Sequence, residues 1–255
     1  MIGARLVAPP GFTRFASRDA TIVARDDAAD GVKEALLDVR TLHCWASTMP
    51  GARAFQGRAT AWGTRLPLAG FDVVVRHAQH GGLLAVLTGD RFLAPGRAPW
   101  ELQVSERLRA AGVLTPEVIA YAVYPAGPGL CRNDVATRRL PDGGDLPAVW
   151  ASADDATRER LLAATAALVH SLGAARAHHA DLNIKNVYLT RDGAGWRAYA
   201  LDVDRVRFLP PGDNRAHALN LARLTRSMQK ARTQFGVALD ASHIAMLTRL
   251  AGAAT

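Results

Sequence analysis

Cysteine is scarce in this chain of 255 residues: Cys44 and Cys131 stand alone. They show no CxxC spacing and no paired framework, which argues against a disulfide scaffold and against a zinc site. Both read as buried free thiols. Lysine is scarcer than the formal net charge of +8 suggests, with only Lys33, Lys185 and Lys230, so arginine carries the basic excess. Aromatic residues make up 6 %. A basic nucleic-acid-binding module would want clustered cations interleaved with aromatics. The basic residues here are scattered, and no nucleic-acid partner is expected. No apolar run approaches the roughly 18 residues of a membrane span. The opening MIGARLVAPPGF has an early Pro-Pro and lacks the apolar stretch of a secretory signal. These absences predict a cytoplasmic protein. There is no internal repeat and no low-complexity linker.

What is present suits a folded chain. Hydrophobic residues make up 49 %, enough for a sizeable core in one large domain or two lobes sharing a cleft. The positive balance favours polyanionic company: nucleotides or an anionic surface. In the first half, 57–62 and the β-branched run 71–76 (FDVVVR) predict strands, as do 117–124 and 132–137. Residues 99–111 predict a helix, with Trp100, Val104, Leu108 and Ala111 on its buried stripe and Gly112 as its stop. The second half is more helical. Asp154 is among the candidate N-caps of a helix over 156–172 that Gly173 closes. Short strands at 187–189 and 198–201 flank a turn at Asp192-Gly193, and helices over 214–232 and 240–252 finish the chain. The expected class is α+β: a strand-rich lobe with one helix over 1–137, then a mainly helical lobe over 138–255, with 138–150 as the hinge region.

The decisive segment is HADLNIKNVYL at 179–189, which reads His-x-Asp-Leu-x-x-x-Asn. Phosphoryl transfer needs a carboxylate beside the attacking hydroxyl and hard oxygen ligands for magnesium. Asp181 fits the first need; Asn186 and Asp202, at the end of the next strand, fit the second. A hairpin turned at Asp192-Gly193 would bring Asn186 and Asp202 close together. A capped turn is the alternative reading, since Asp and Asn are common in loops. Gly57-Arg58 is either a phosphate-covering turn or an ordinary hairpin turn. Arg76 ends a strand and can reach nucleotide phosphates, with Glu101 on the next helix to hold it; otherwise the two are separate solvated charges. His80-Gly81-Gly82 either approaches the substrate or merely turns.

Together these residues resemble the lipopolysaccharide core kinase family, which includes the kinases of 3-deoxy-D-manno-octulosonic acid (Kdo). The resemblance runs from about Gly57 to Lys230. It rests on VVVRHAQHGGLLAVLTGDRF at 73–92, WELQVSERLRAAGVLTPEVIA at 100–120, HHADLNIKNVYL at 178–189, LDVDRVRF at 201–208 and NLARLTRSMQK at 220–230. It implies a bilobal protein-kinase-like fold and ATP-dependent, magnesium-assisted phosphorylation of a hydroxyl on the Kdo sugar of a lipid A-linked inner core. Asp181 is then the catalytic Asp, Asn186 and Asp202 the metal residues, and Arg76 and Glu101 the ATP side, to which Gly57 and Arg58 would add if they form a phosphate-covering turn. Arg76 stands where protein kinases have their phosphate-binding Lys, and this is not a neutral exchange. Asp202-Val203-Asp204 replaces Asp-Phe-Gly, in keeping with this family. His80, Gly81, Gly82 and Lys185 fall on the acceptor side, with Lys185 where the Kdo kinases have His and His80 where they have Arg. A lipid-linked acceptor implies peripheral contact with the anionic cytoplasmic face of the inner membrane. The alternative is a small-molecule phosphotransferase of the aminoglycoside or choline kinase type, against which the Arg-His-x-x-x-Gly-Gly segment counts.

Overall fold

The computed structural model describes residues 7–56, 60–79, 89–193, 195–231, 233, 236, 237 and 239–252. The chain divides into two compact units, one of residues 1–103 with 117–139, the other of 104–116 with 140–255.

The first unit is built on an antiparallel sheet. Its strands are β1 (Phe12–Ser17), β2 (Ala20–Arg25), β3 (Arg53–Phe55), β4 (Ala61–Arg65), β5 (Asp72–His77), β6 (Phe92–Leu93), β7 (Val118–Pro125) and β8 (Leu130–Arg138). Their spatial order is β1-β2-β7-β8-β5-β4-β3, with β6 also paired to β8. In β5, Val73 and Val75 turn to the core while Val74 is half-buried, the period-two pattern of a pleated strand. Strand β7 is buried along nearly all its length because both faces of the sheet are covered. Ile119, Ala120, Ala122 and Tyr124 pack with α1 (Ala29–Ala35) and α2 (Leu42–Thr48) through Val32, Leu42 and Trp45. Val118, Tyr121 and Val123 pack instead with Phe92, Ala98 and Leu102. Helices α1 and α2 are additions to the one helix expected in this half. At seven residues each they are too short for a clear helical period.

That expected helix is α3 (Ala98–Ala110). Its buried residues are Ala98, Glu101, Leu102, Val104, Ser105 and Leu108, while Trp100 is 45 % exposed. Val104 and Leu108 of the expected stripe are therefore buried, Trp100 and Ala111 at its ends are not, and the buried face widens to take in Glu101. Gly112 does terminate the helix: at φ +78° it lets Val113 N donate to Leu108 O at 2.9 Å. Cys131 is buried, whereas Cys44 is exposed, contrary to expectation.

In the second unit, Thr115 Oγ1 donates to Ala200 O at 2.9 Å and Ala200 N donates to Leu114 O at 2.9 Å, which ties the segment 104–116 to this half. Helix α4 (Leu146–Ala151) follows β9 (Gly143–Asp145), so most of the stretch expected as a hinge region carries regular structure. Helix α5 (Asp155–Ala174) is capped by Asp154, whose side chain accepts from Thr157 N at 2.8 Å. Gly173 lies inside α5 instead of closing it. A Cβ there would come within 2.7 Å of His217 Cβ, so the glycine permits close approach to α6 (Ala216–Gln229). The reversal falls on Arg176, at φ +53°. Strands β11 (Val187–Asp192) and β12 (Gly195–Ala200) form the expected hairpin, and β9 adds to β11. A separate ribbon pairs β10 (Ala177–His179) with β13 (Val206–Phe208). Helix α7 (Ala241–Gly252) packs on α5 through the core that contains Leu161, Leu172 and Leu247.

Candidate active site

The loop 180–186 leaves β10 and enters β11, and it is fixed from both ends. His179 is fully buried. Its backbone N donates to Asn220 Oδ1 at 2.9 Å, and Asn220 Nδ2 donates to Ala177 O at 2.7 Å, so α6 clamps the strand before the loop. The His179 ring accepts from Asp181 N at Nδ1 (3.3 Å) and bonds Leu201 O through Nε2 (2.9 Å). That pattern is the neutral tautomer with its proton on Nε2, and burial pushes the imidazole pKa down, favouring the neutral form. One ring thus holds both Asp181 and the residue before Asp202.

The far end of the loop is a short 3-10 turn, Ile184–Asn186, capped by Asn183, which accepts from Lys185 N at 2.9 Å. Asn186 Nδ2 donates to Asp181 O at 2.8 Å, and Asn183 Nδ2 donates to the same carbonyl at 3.1 Å. The β11–β12 register pairs Val187 with Ala200, and Leu201 N donates to Asn186 O at 2.9 Å. Asn186 and Asp202 therefore leave adjoining ends of one hairpin. Asp202 adopts a left-handed conformation, φ 52° and ψ 49°, which Asp tolerates better than most residues. Lys185 forms an ion pair with Asp145, the N-cap of α4, at 3.6 Å.

Asp181 itself meets α6. Arg223 Nη2 donates to Asp181 Oδ1 at 2.8 Å and Arg223 Nε donates to Ala180 O at 3.2 Å. The sequence reading left Arg223 out of the site. Forty-two positions separate it from Asp181, and nothing in a basic helix marks which arginine turns inward.

In the first unit, Arg76 on β5 and Glu101 on α3 form a close ion pair, with Glu101 nearly buried and Arg76 half-exposed. His77, next to Arg76, is held between two carboxylates: Nδ1 to Asp134 Oδ1 at 2.6 Å and Nε2 to Asp90 Oδ2 at 3.1 Å. Asp134 is fully buried and also accepts from Tyr124 Oη at 3.0 Å and His43 N at 2.9 Å. The hydrogen bond to Asp134 outweighs burial and raises the His77 pKa, so the imidazolium is favoured. Asp90 is further paired with Arg132 at 2.7 Å. This network was absent from the sequence reading, although His77 and Asp90 both lie in the segment that carried the resemblance. Gly57, Arg58, His80, Gly81 and Gly82 lie outside the described residues.

The lipopolysaccharide kinase (Kdo/WaaP) family model matches residues 43–241. The chain belongs to this family. Among curated relatives of this lipopolysaccharide kinase, a 3-deoxy-D-manno-octulosonic acid kinase from Actinobacillus succinogenes is 28 % identical over 193 residues, 71 % of this chain and 76 % of that protein. One of the same name from Pasteurella multocida is 26 % identical over 194 residues, with the same shares covered. A solved structure titled "WaaP in complex with acyl carrier protein" superposes with a TM-score of 0.51 at 19 % identity, covering 84 % of this chain and 83 % of that one. That likeness shows the fold: α+β and protein-kinase-like. Membership makes this lipopolysaccharide kinase a phosphotransferase.

Proposed function

We propose that this kinase transfers the γ-phosphoryl of ATP to a hydroxyl of a Kdo sugar on lipid A. The observation that carries the reading is the loop 180–186, in which His179, Asn183 and Asn186 converge on the Asp181 main chain and leave its carboxylate on the loop between β10 and β11. Asp181 accepts a hydrogen bond from the acceptor hydroxyl and takes its proton. The hydroxyl oxygen forms a bond to the γ-phosphorus while the bond to the β–γ bridging oxygen breaks, and ADP leaves with that electron pair. Arg76, held by Glu101, is assigned to the nucleotide phosphates, where its fixed charge suits a polyanion.

The donor chemistry near Asp181 fits magnesium. Asn186 commits its Nδ2 to the loop and keeps Oδ1 without a hydrogen bond among the described residues, and Asp202 brings a carboxylate residue to the adjoining end of the same hairpin. Among the described residues no group of three or more His, Cys, Asp or Glu side chains could hold a metal. An ion that draws most of its oxygens from phosphate and water needs only one or two from protein. When bound, it would neutralise phosphate charge.

The test is incubation of the purified chain with labelled ATP and a panel of Kdo-bearing lipid A, aminoglycosides and protein. Label in the Kdo-bearing acceptor alone supports the reading. Label in an aminoglycoside with none in Kdo-lipid A replaces it with the small-molecule reading.

A further inference from the structure

A guanidinium carries five N–H donors in one plane. Arg223 spends one edge inward, Nε on the Ala180 carbonyl and Nη2 on the Asp181 carboxylate. Its Nη1 has no hydrogen bond among the described residues, and the side chain is 31 % exposed. Both inward bonds fix the plane of the group, so the outer edge, Nη1 with the second Nη2 proton, is held as a fork next to Asp181. Such a fork matches a carboxylate or phosphate through two parallel hydrogen bonds.

On the reading that Asp181 receives the acceptor hydroxyl, the outer edge of Arg223 lies within one sugar unit of the reacting oxygen. A sugar acid brings its carboxylate into that space. Without a cation between them, that carboxylate and Asp181 would repel. We propose that Arg223 is the acceptor-anion residue of this kinase: its inner edge holds Asp181 and its outer edge binds the carboxylate of the sugar acid that is phosphorylated. One side chain would then orient the base and select an acidic acceptor. The same fork could instead meet a nucleotide phosphate, so the experiment carries an arm for each anion.

The measurement is kcat/KM for a Kdo-terminated lipid A acceptor and for its carboxyl-reduced counterpart, with wild type, Arg223→Lys and Arg223→Ala. Each ratio is taken within one protein, so it is insensitive to the fraction folded. Wild type should prefer the acid by about 10–100-fold, the range of one charge-assisted hydrogen-bond pair. Arg223→Ala should bring the ratio to about one or invert it. Arg223→Lys, a point charge without a fork, should fall between them. An unchanged acid preference in Arg223→Ala overturns the proposal. So does equal use of both acceptors by wild type, with the kinase reading intact. Weakened ATP binding in Arg223→Ala, with the acid preference kept, assigns the outer edge to the nucleotide. If wild type phosphorylates neither sugar but labels another acceptor, the proposed acceptor falls and this inference falls with it.

Discussion

At Asp181 the Asn exchange keeps size and hydrogen-bonding capacity but removes the charge that takes a proton. Asp181→Asn should retain the fold and ATP binding while kcat drops by roughly 10²–10⁴-fold, the usual worth of a positioned base. Single-turnover phosphoryl transfer together with an ATP titration checks both halves. Turnover near wild type in a folded variant would remove Asp181 from its role. His77 makes a different kind of prediction. Its folded pKa lies above the ordinary 6.5 because Asp134 hydrogen-bonds the charged ring. A group raised in this way stabilises the fold fully below 6.5, and the contribution fades as pH climbs through the raised value. Wild type should therefore exceed His77→Gln in urea midpoint by more at pH 6 than at pH 9. A pH-independent difference would mean that the ring contributes by packing alone. Asp181 and Asn186, assigned to the chemistry here, were apparent from spacing because they lie five positions apart, and Asp202 because it ends the next strand. Asp134 and Arg223 were not, because a partner's identity depends on which strands and helices pack together.

Strand β5 and helix α3 each supply one half of the Arg76–Glu101 pair. Burying Glu101 without a cation would be costly, and Arg76 supplies that cation. A double-mutant cycle on ATP binding tests whether the pair acts as a unit. The Arg76→Ala, Glu101→Ala double variant should lose much less than the sum of the singles, with a coupling of about 0.5–3 kcal/mol. Additive losses would show independent charges. Element boundaries followed local signals where these were strong. The valines of β5, the Asp154 cap and the turn at Gly193 needed nothing beyond a few neighbours. Strands β1 and β2 and helices α1 and α2 escaped notice. Each is short, and its burial comes from the β7 side of the sheet and not from its own pattern.

For the whole molecule, the +8 charge predicts reversible attraction to anionic lipid. No helix among the described residues is long and apolar enough to cross a membrane. Helix α6 is less available for that attraction than its composition suggests: Arg223 is committed to Asp181, and Arg215, just before the helix, pairs with Asp213 at 2.8 Å. Among the described residues of this segment, exposed Arg226 and Lys230 remain. The kinase should co-sediment with anionic vesicles at low salt, bind neutral ones little, and be released as added salt shortens the Debye length from about 30 Å at 0.01 M to 10 Å at 0.1 M. Equal binding to both, or none to the anionic vesicles at low salt, would leave acceptor capture alone to bring enzyme and lipid together. By itself the sequence determined the α+β class, the order of strands around 187–202, and the residue types proposed for phosphoryl transfer, since backbone preference and short loops act over a few residues. Only the tertiary structure decided that Glu101 turns inward to Arg76, that His77 lies between Asp134 and Asp90, and that Arg223 reaches Asp181. Those pairings join positions 13 to 57 residues apart. They exist because packing a shared core brings certain faces of strands and helices together, a choice that no local stretch of chain contains.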